Sequence, residues 1–85
     1  MDMVSVEFHD GSRGRTVDVQ IPLFLTGNEL VTALARAYDL PMDINDPTQV
    51  YMRAENPIAL LAGQQTLEQL GIANGTRIFY EPAQY

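Results

Sequence analysis

Apolar and polar residues alternate one by one over residues 3–9, with Val4, Val6 and Phe8 on one side and Ser5, Glu7 and His9 on the other. That is the period of a strand with one buried face. Turn-forming residues fill positions 10–14, and the alternation resumes over residues 15–21 through Val17, Val19 and Ile21. The pair predicts a β-hairpin with a single apolar face. Pro22 closes the second strand because it has no N–H for a ladder.

The period then changes. Thr26 with Glu29 three residues on has the form of a capping box, and Leu25 and Leu30 stand where a hydrophobic staple would hold the entry of a helix. Leu30, Leu34 and Tyr38 recur every fourth position with Val31 beside them, so one stripe of a helix of roughly three turns faces a sheet. Asp39, Leu40 and Pro41 stop it. After a loop over residues 42–47, residues 48–53 read as a third strand with Val50 and Met52 inward and Tyr51 and Arg53 outward. Residues 54–57 turn the chain into a short apolar fourth strand over residues 58–61. Thr66 and Gln69 repeat the capping-box spacing on a single helical turn, where Leu67 and Leu70 point inward and Gly71 suits a left-handed stop. Asn74 and Gly75 mark the next turn, and residues 76–81 form the last strand before Pro82.

This order has one architectural solution. A helix between the second and third strands must cover the apolar face of the sheet, because nothing else in the chain can bury it. The last strand has no local partner and fits beside the first, in parallel, at the centre. The expected class is therefore α+β: a β-grasp, ubiquitin-like arrangement with a mixed sheet of four to five strands. One main helix packs on one face, and a short one-turn helix precedes the last strand. Residues 1–85 are expected to form a single domain.

Composition narrows the chemistry. Apolar residues make up 46% and charged residues 19%, the balance of a folded chain rather than of a disordered one. There is no cysteine, so disulfides, thiolate metal sites and iron–sulfur clusters are excluded. The start lacks the basic and apolar segments of a signal peptide, and no run is long enough to span a bilayer. A cytoplasmic protein is expected. A net charge of −6, from eleven acids against five arginines, is repelled by phosphate backbones and anionic lipid, which argues against nucleic acid and direct membrane insertion.

The segments "VSVEF", "VDVQIPLFLTGNELVTALARAYDL", "TQVYMRAENPIALL" and "TLEQLGIANGTRIFY" together span nearly the whole chain. In this order they resemble the YukD/EsaB family of small bacterial ubiquitin-like proteins encoded with type VII secretion systems. The resemblance implies a non-enzymatic adaptor or accessory component with no cofactor. Such a component binds a protein partner of the secretion machinery on the cytoplasmic side and is recruited by it to the inner face of the membrane. A different class of reading is a small effector subunit of a multicomponent bacterial monooxygenase, which some of those enzymes carry in ubiquitin-like form.

The chain ends in Gln84 and Tyr85 and has no Gly-Gly pair or lysine. A tail activated by adenylation must pass a narrow channel, which Gly-Gly does and Gln-Tyr does not, so conjugation is not expected. No catalytic residue is assigned. His9 is the sole histidine and reads as a solvated residue at a strand end. Asp39, Asp43 and Asp46 lack the spacing of a calcium loop and read as helix-end and turn acids. Asn74 to Thr76 matches a glycosylation sequon, which the turn explains without modification.

One feature exceeds a bland surface. With the last strand beside the third, Tyr51, Arg53, Arg77 and Phe79 project from one outer face, and aromatics and arginine are enriched at interface centres. These are the candidate partner-binding residues. The competing reading is that the arginines lie over the rings and pair with Glu7 of the adjoining strand. Pairing of an exposed edge strand also allows a homodimer, although no residue specifies one.

Overall fold

The computed structural model describes residues 2–82. Its elements are β1 (Met3–Asp10), β2 (Arg15–Pro22), α1 (Gly27–Ala37), β3 (Met52–Glu55), β4 (Ala59–Leu61) and β5 (Arg77–Tyr80). The strands form one mixed sheet in the order β2-β1-β5-β3-β4. β1 pairs antiparallel with β2 and parallel with β5, which lies at the centre as its lack of a local partner implied. The parallel pairing is set at its start by the turn before β5, where Asn74 Oδ1 accepts the Ser5 N–H at 2.8 Å and the Gly75 N–H donates to the Ser5 carbonyl at 2.9 Å.

Helix α1 begins as its sequence dictates. The Glu29 N–H donates to Thr26 Oγ1 at 3.1 Å and the Thr26 N–H to Glu29 Oε1 at 2.9 Å, so two orphan donors are satisfied reciprocally. Its buried stripe is Leu30, Val31, Leu34 and Ala35. Tyr38 stands at the C-cap, half-buried against the core, with its ring tilted against Phe8 at 5.3 Å between centroids. The next residue, Asp39, takes a left-handed backbone (φ 52), and the Leu40 N–H returns to the Ala35 carbonyl at 2.9 Å. This is the closing bond of a Schellman stop, with an acid where glycine usually sits. Phe8, Ala54, Leu61, Leu67 and Ile78 are fully buried beneath the helix.

Two expectations need correction. The third strand does not start at Thr48, although Val50 and Met52 are buried and Tyr51 and Arg53 exposed as read. Asp46 holds residues 46–49 in a turn by accepting from the Thr48 N–H, the Thr48 hydroxyl and the Gln49 amide. Ladder pairing starts at Met52 and runs on to Glu55. The single helical turn before β5 is also not a helix. Its capping box is present, with Gln69 N–H to Thr66 Oγ1 at 3.1 Å and Thr66 N–H to Gln69 Oε1 at 2.9 Å. Yet the chain leaves at once through Gly71 (φ 81), so residues 67–71 remain hydrogen-bonded turns. Gln84 and Tyr85, on which the expectation about conjugation rests, lie outside the described residues.

The helix start meets the segment after β4 at unusually short range. The Gly27 N–H donates to the Gln65 carbonyl at 2.9 Å, and a Cβ on Gly27 would stand 2.5 Å from the Ala62 nitrogen and 2.9 Å from its oxygen. Replacing glycine by alanine within a helix ordinarily stabilises by about 0.5–1 kcal/mol. Here Gly27→Ala is expected to destabilise by about 1–3 kcal/mol through overpacking against backbone that cannot yield. Thermal unfolding measures this, and a raised midpoint would contradict the close approach.

Candidate functional site

The registers place side chains on the outer face of the sheet, opposite the helix, in two rows. Pairings of His9 with Thr16, His9 with Phe79, Arg53 with Phe79 and Arg53 with Leu60 make one row, Thr16–His9–Phe79–Arg53–Leu60. The row beside it is Asp18–Glu7–Arg77–Glu55. Because side chains alternate across a strand, Phe8, Ile78 and Ala54 on the other side are the core residues.

Phe79 is flanked from both neighbouring strands. The His9 ring stacks on it at 4.6 Å and 20° between planes, and the Arg53 guanidinium lies over it at 4.2 Å from the centroid. His9 is held by its own contacts, Nε2 to Glu7 Oε1 and Nδ1 to Thr16 Oγ1, each at 3.1 Å. Arg53 Nε donates to Glu81 Oε1 at 2.8 Å and its Nη1 to Glu55 Oε2, while Arg77 Nη2 stands 3.5 Å from Glu55 Oε1. Donating to the Glu81 and then the Glu55 carboxylate raises the Arg53 pKa above its ordinary value, so the guanidinium stays charged. Of the competing reading, Arg53 does lie over the Phe79 ring, whereas Glu7 faces His9 and the arginines pair with Glu55 and Glu81 instead.

Tyr51, Arg53, Arg77 and Phe79 all reach this face, but they are not equivalent. Tyr51 is 53% exposed, whereas Phe79 is half-buried between His9 and Arg53. Sequence reasoning missed two neighbours. Leu60 is 60% exposed and Ile58 is 91% exposed, and both line an open groove with Tyr51, Phe79, Met42 and Pro82. Residues 58–61 are apolar at every position, so only the pairing of Leu60 with Arg53 reveals which of them turns outward.

A second polar cluster lies at the end of β1. Asp10, read as a turn former, is almost wholly buried. Its Oδ1 accepts from the Ser12 N–H at 2.9 Å and the Ser12 hydroxyl at 2.5 Å. Its Oδ2 faces Arg13 Nη1 at 3.5 Å and Arg15 Nε at 3.6 Å without a hydrogen bond. Arg13 also donates to the carbonyls of Tyr38 at 2.5 Å and Asp39 at 3.1 Å, and Arg15 lies over the Tyr38 ring at 5.2 Å. The hairpin turn is thus clasped to the helix C-terminus, where a cation is favoured. Burial opposes ionisation of Asp10, but the Ser12 hydrogen bonds and the Arg13 charge outweigh it and hold its pKa below the ordinary 3.8. Burial, then the Asp10 charge, pushes the Tyr80 hydroxyl up. The sequence signal for this clasp was Ser12 two residues after Asp10, with Arg13 and Arg15 following.

The remaining acids act locally. Asp43 Oδ1 accepts from the Asn45 N–H at 3.0 Å, and the hydrogen bonds from Thr48 hold Asp46 below its ordinary pKa. Among the described residues no group of three or more His, Cys, Asp or Glu is placed to hold a metal ion, and no helix is long and apolar enough to cross a membrane.

Comparison with known proteins gives a family and a fold. A family model described as "WXG100 protein secretion system (Wss), protein YukD" matches residues 3–79. A designed protein based on ubiquitin is 22% identical with a TM-score of 0.64, covering 91% of this chain and 84% of that one. The ubiquitin-like domain of Plasmodium falciparum Dsk2 is 20% identical with a TM-score of 0.62, covering 92% and 97%. The C-terminal ubiquitin-like domain of mouse tubulin-specific chaperone e is 14% identical with a TM-score of 0.67, covering 98% and 92%. These likenesses establish the ubiquitin-like β-grasp fold. No curated protein matches the chain.

The Asp10 clasp predicts an acid dependence. A carboxyl whose folded pKa is depressed contributes stability that is complete above its unfolded value and is lost as pH falls through the folded one. Stability should therefore decline below about pH 4, and Asp10→Asn should flatten that decline while lowering stability at neutral pH. Chemical denaturation across this range measures both effects.

Proposed function

Because the chain belongs to the YukD family of the WXG100, or type VII, protein secretion system, we propose that it is a non-catalytic adaptor. On this reading it binds a larger component of that apparatus through the outer face of its sheet. It works in the cytoplasm and is brought to the inner face of the membrane by its partner.

What supports the reading is the contiguous row of aromatic and apolar side chains on that face. Exposed Tyr51 and Leu60 flank Arg53 and Phe79, in a groove that Ile58 and Met42 extend. Single exposed apolar residues are ordinary, whereas a joined set marks a contact surface. Arg53 and Arg77 are already engaged by Glu55 and Glu81. Arg53 presents flat, ring-covering surface over Phe79, and both arginines fix orientation, because a partner acid would have to displace an existing ion pair. Tyr51 and Leu60 are then the anchors, with Phe79 as a platform across Arg53 from Leu60.

The outer face generates a direct test. Tyr51→Ser with Leu60→Ser removes exposed apolar surface and should shift stability by no more than about 0.5 kcal/mol. Affinity capture from the source cell, with detergent-solubilised membranes included, is expected to return a secretion component with the unaltered chain and to lose it with the double variant. Recovery of a di-iron oxygenase instead would place the chain among monooxygenase effector subunits. Undiminished capture by the double variant would remove the outer face from the reading.

A further inference from the structure

β2 is an edge strand of eight residues, and its ladder with β1 runs without a bulge from Met3 opposite Pro22 to Asp10 opposite Arg15. The direction of its backbone groups follows from a bond just beyond it. The Leu23 N–H donates to the Asp2 carbonyl at 3.0 Å, so that pair and every second pair after it, Val4 with Ile21, Val6 with Val19 and Phe8 with Val17, exchange the ladder bonds. The intervening β1 residues face β5 instead, as the Glu7 N–H to the Thr76 carbonyl at 3.0 Å confirms. On β2 the backbone groups of Thr16, Asp18 and Gln20 therefore point away from the sheet. These residues are exposed, and no backbone hydrogen bond among the described residues engages them.

Edge strands of this length are usually guarded by lysine, proline, a bulge or a covering element. Here there is no lysine, the only charges are Arg15 at the first position and Asp18 in the middle, the proline stands at the last position, and the register is regular. The helix packs toward β4 at the other edge, leaving Val17 and Val19 half-buried on the inner side. On the outer side Asp18 lies directly opposite Glu7, a like-charge pair on adjacent strands, and no cation lies within ion-pair distance of Asp18 among the described residues.

We infer that the β2 edge is a strand-addition site for an extended partner segment in which apolar residues alternate with lysine or arginine. Backbone bonds to Thr16, Asp18 and Gln20 supply the affinity. Apolar residues of the segment cover Val17 and Val19, and a cation opposite Asp18 relieves the carboxylate pair. A second copy of this chain fits less well, because the two-fold register that exchanges bonds through Thr16, Asp18 and Gln20 pairs Thr16 with Gln20 and sets Asp18 against Asp18. The site is separate from the Tyr51 and Leu60 groove and stands or falls independently of it.

The probe is a capped peptide of alternating lysine and valine, titrated into the isotopically labelled full chain, with a peptide of the same composition in two blocks as control. The alternating peptide is expected to slow exchange of the Thr16, Asp18 and Gln20 amides by about tenfold and to bind about tenfold more tightly than the block peptide, the scale of one or two backbone bonds. Gln20→Pro deletes an outward N–H at an edge, where proline is tolerated. It should abolish the gain of the alternating peptide while Tyr51→Ser with Leu60→Ser leaves it intact; Thr16→Pro serves if Gln20→Pro fails to fold. Equal binding of both peptides, protection confined to the outer face, or no binding would overturn the inference. Protection of the same amides that rises with protein concentration alone would overturn it in favour of self-pairing.

Discussion

The structure depends on one non-local pairing, that of β1 with β5. β5 is bonded on both sides, in parallel to β1 and antiparallel to β3, and it is the strand that makes one sheet out of a hairpin and a β3–β4 ribbon. Its inner residue Ile78 sits between Phe8 and Ala54 in register, all three wholly buried. Its outer residue Phe79 sits between His9 and Arg53. The core and the candidate contact face are thus two sides of one register, and a slip of one residue would exchange them.

Charge on this chain is arranged with the same economy. Arg13 and Arg15 converge on Asp10, and Arg53 and Arg77 on Glu55 and Glu81. Two clusters absorb most of the positive charge, one tying the hairpin to the helix and the other armouring Phe79. The net charge of −6 is then carried by acids free of arginine, Asp18 among them. A partner meets a surface that offers apolar contacts and carboxylates, and cations on its side are the complement that such a surface favours.

The sequence made legible what local pattern and exclusion determine. The hairpin, the capping box at Thr26 and Glu29 and the central place of the last strand all follow from alternation, cap chemistry and the lack of any other cover for the sheet. Local side-chain bonding defeated the pattern at the start of β3, where Asp46 binds Thr48 and Gln49 and delays pairing to Met52. The site was half legible. Tyr51, Arg53, Arg77 and Phe79 could be put on one face by counting. Leu60 could not, because an all-apolar strand has no alternation to read. Nor could Glu81 be chosen as the partner of Arg53 from 28 positions away, or a buried acid be told from a turn acid at Asp10.

The bond from Ser5 to Asn74 joins residues 69 positions apart, and it opens the pairing that completes the sheet. Contacts between such distant positions form after a large loss of chain freedom, so folding of this topology is slow compared with that of a helical bundle of equal size. Until they form, the hairpin presents open backbone on both of its flanks rather than one. β5 thus seals one of the two flanks that the hairpin alone would leave open, and of the two only the β2 flank stays bare in the finished sheet.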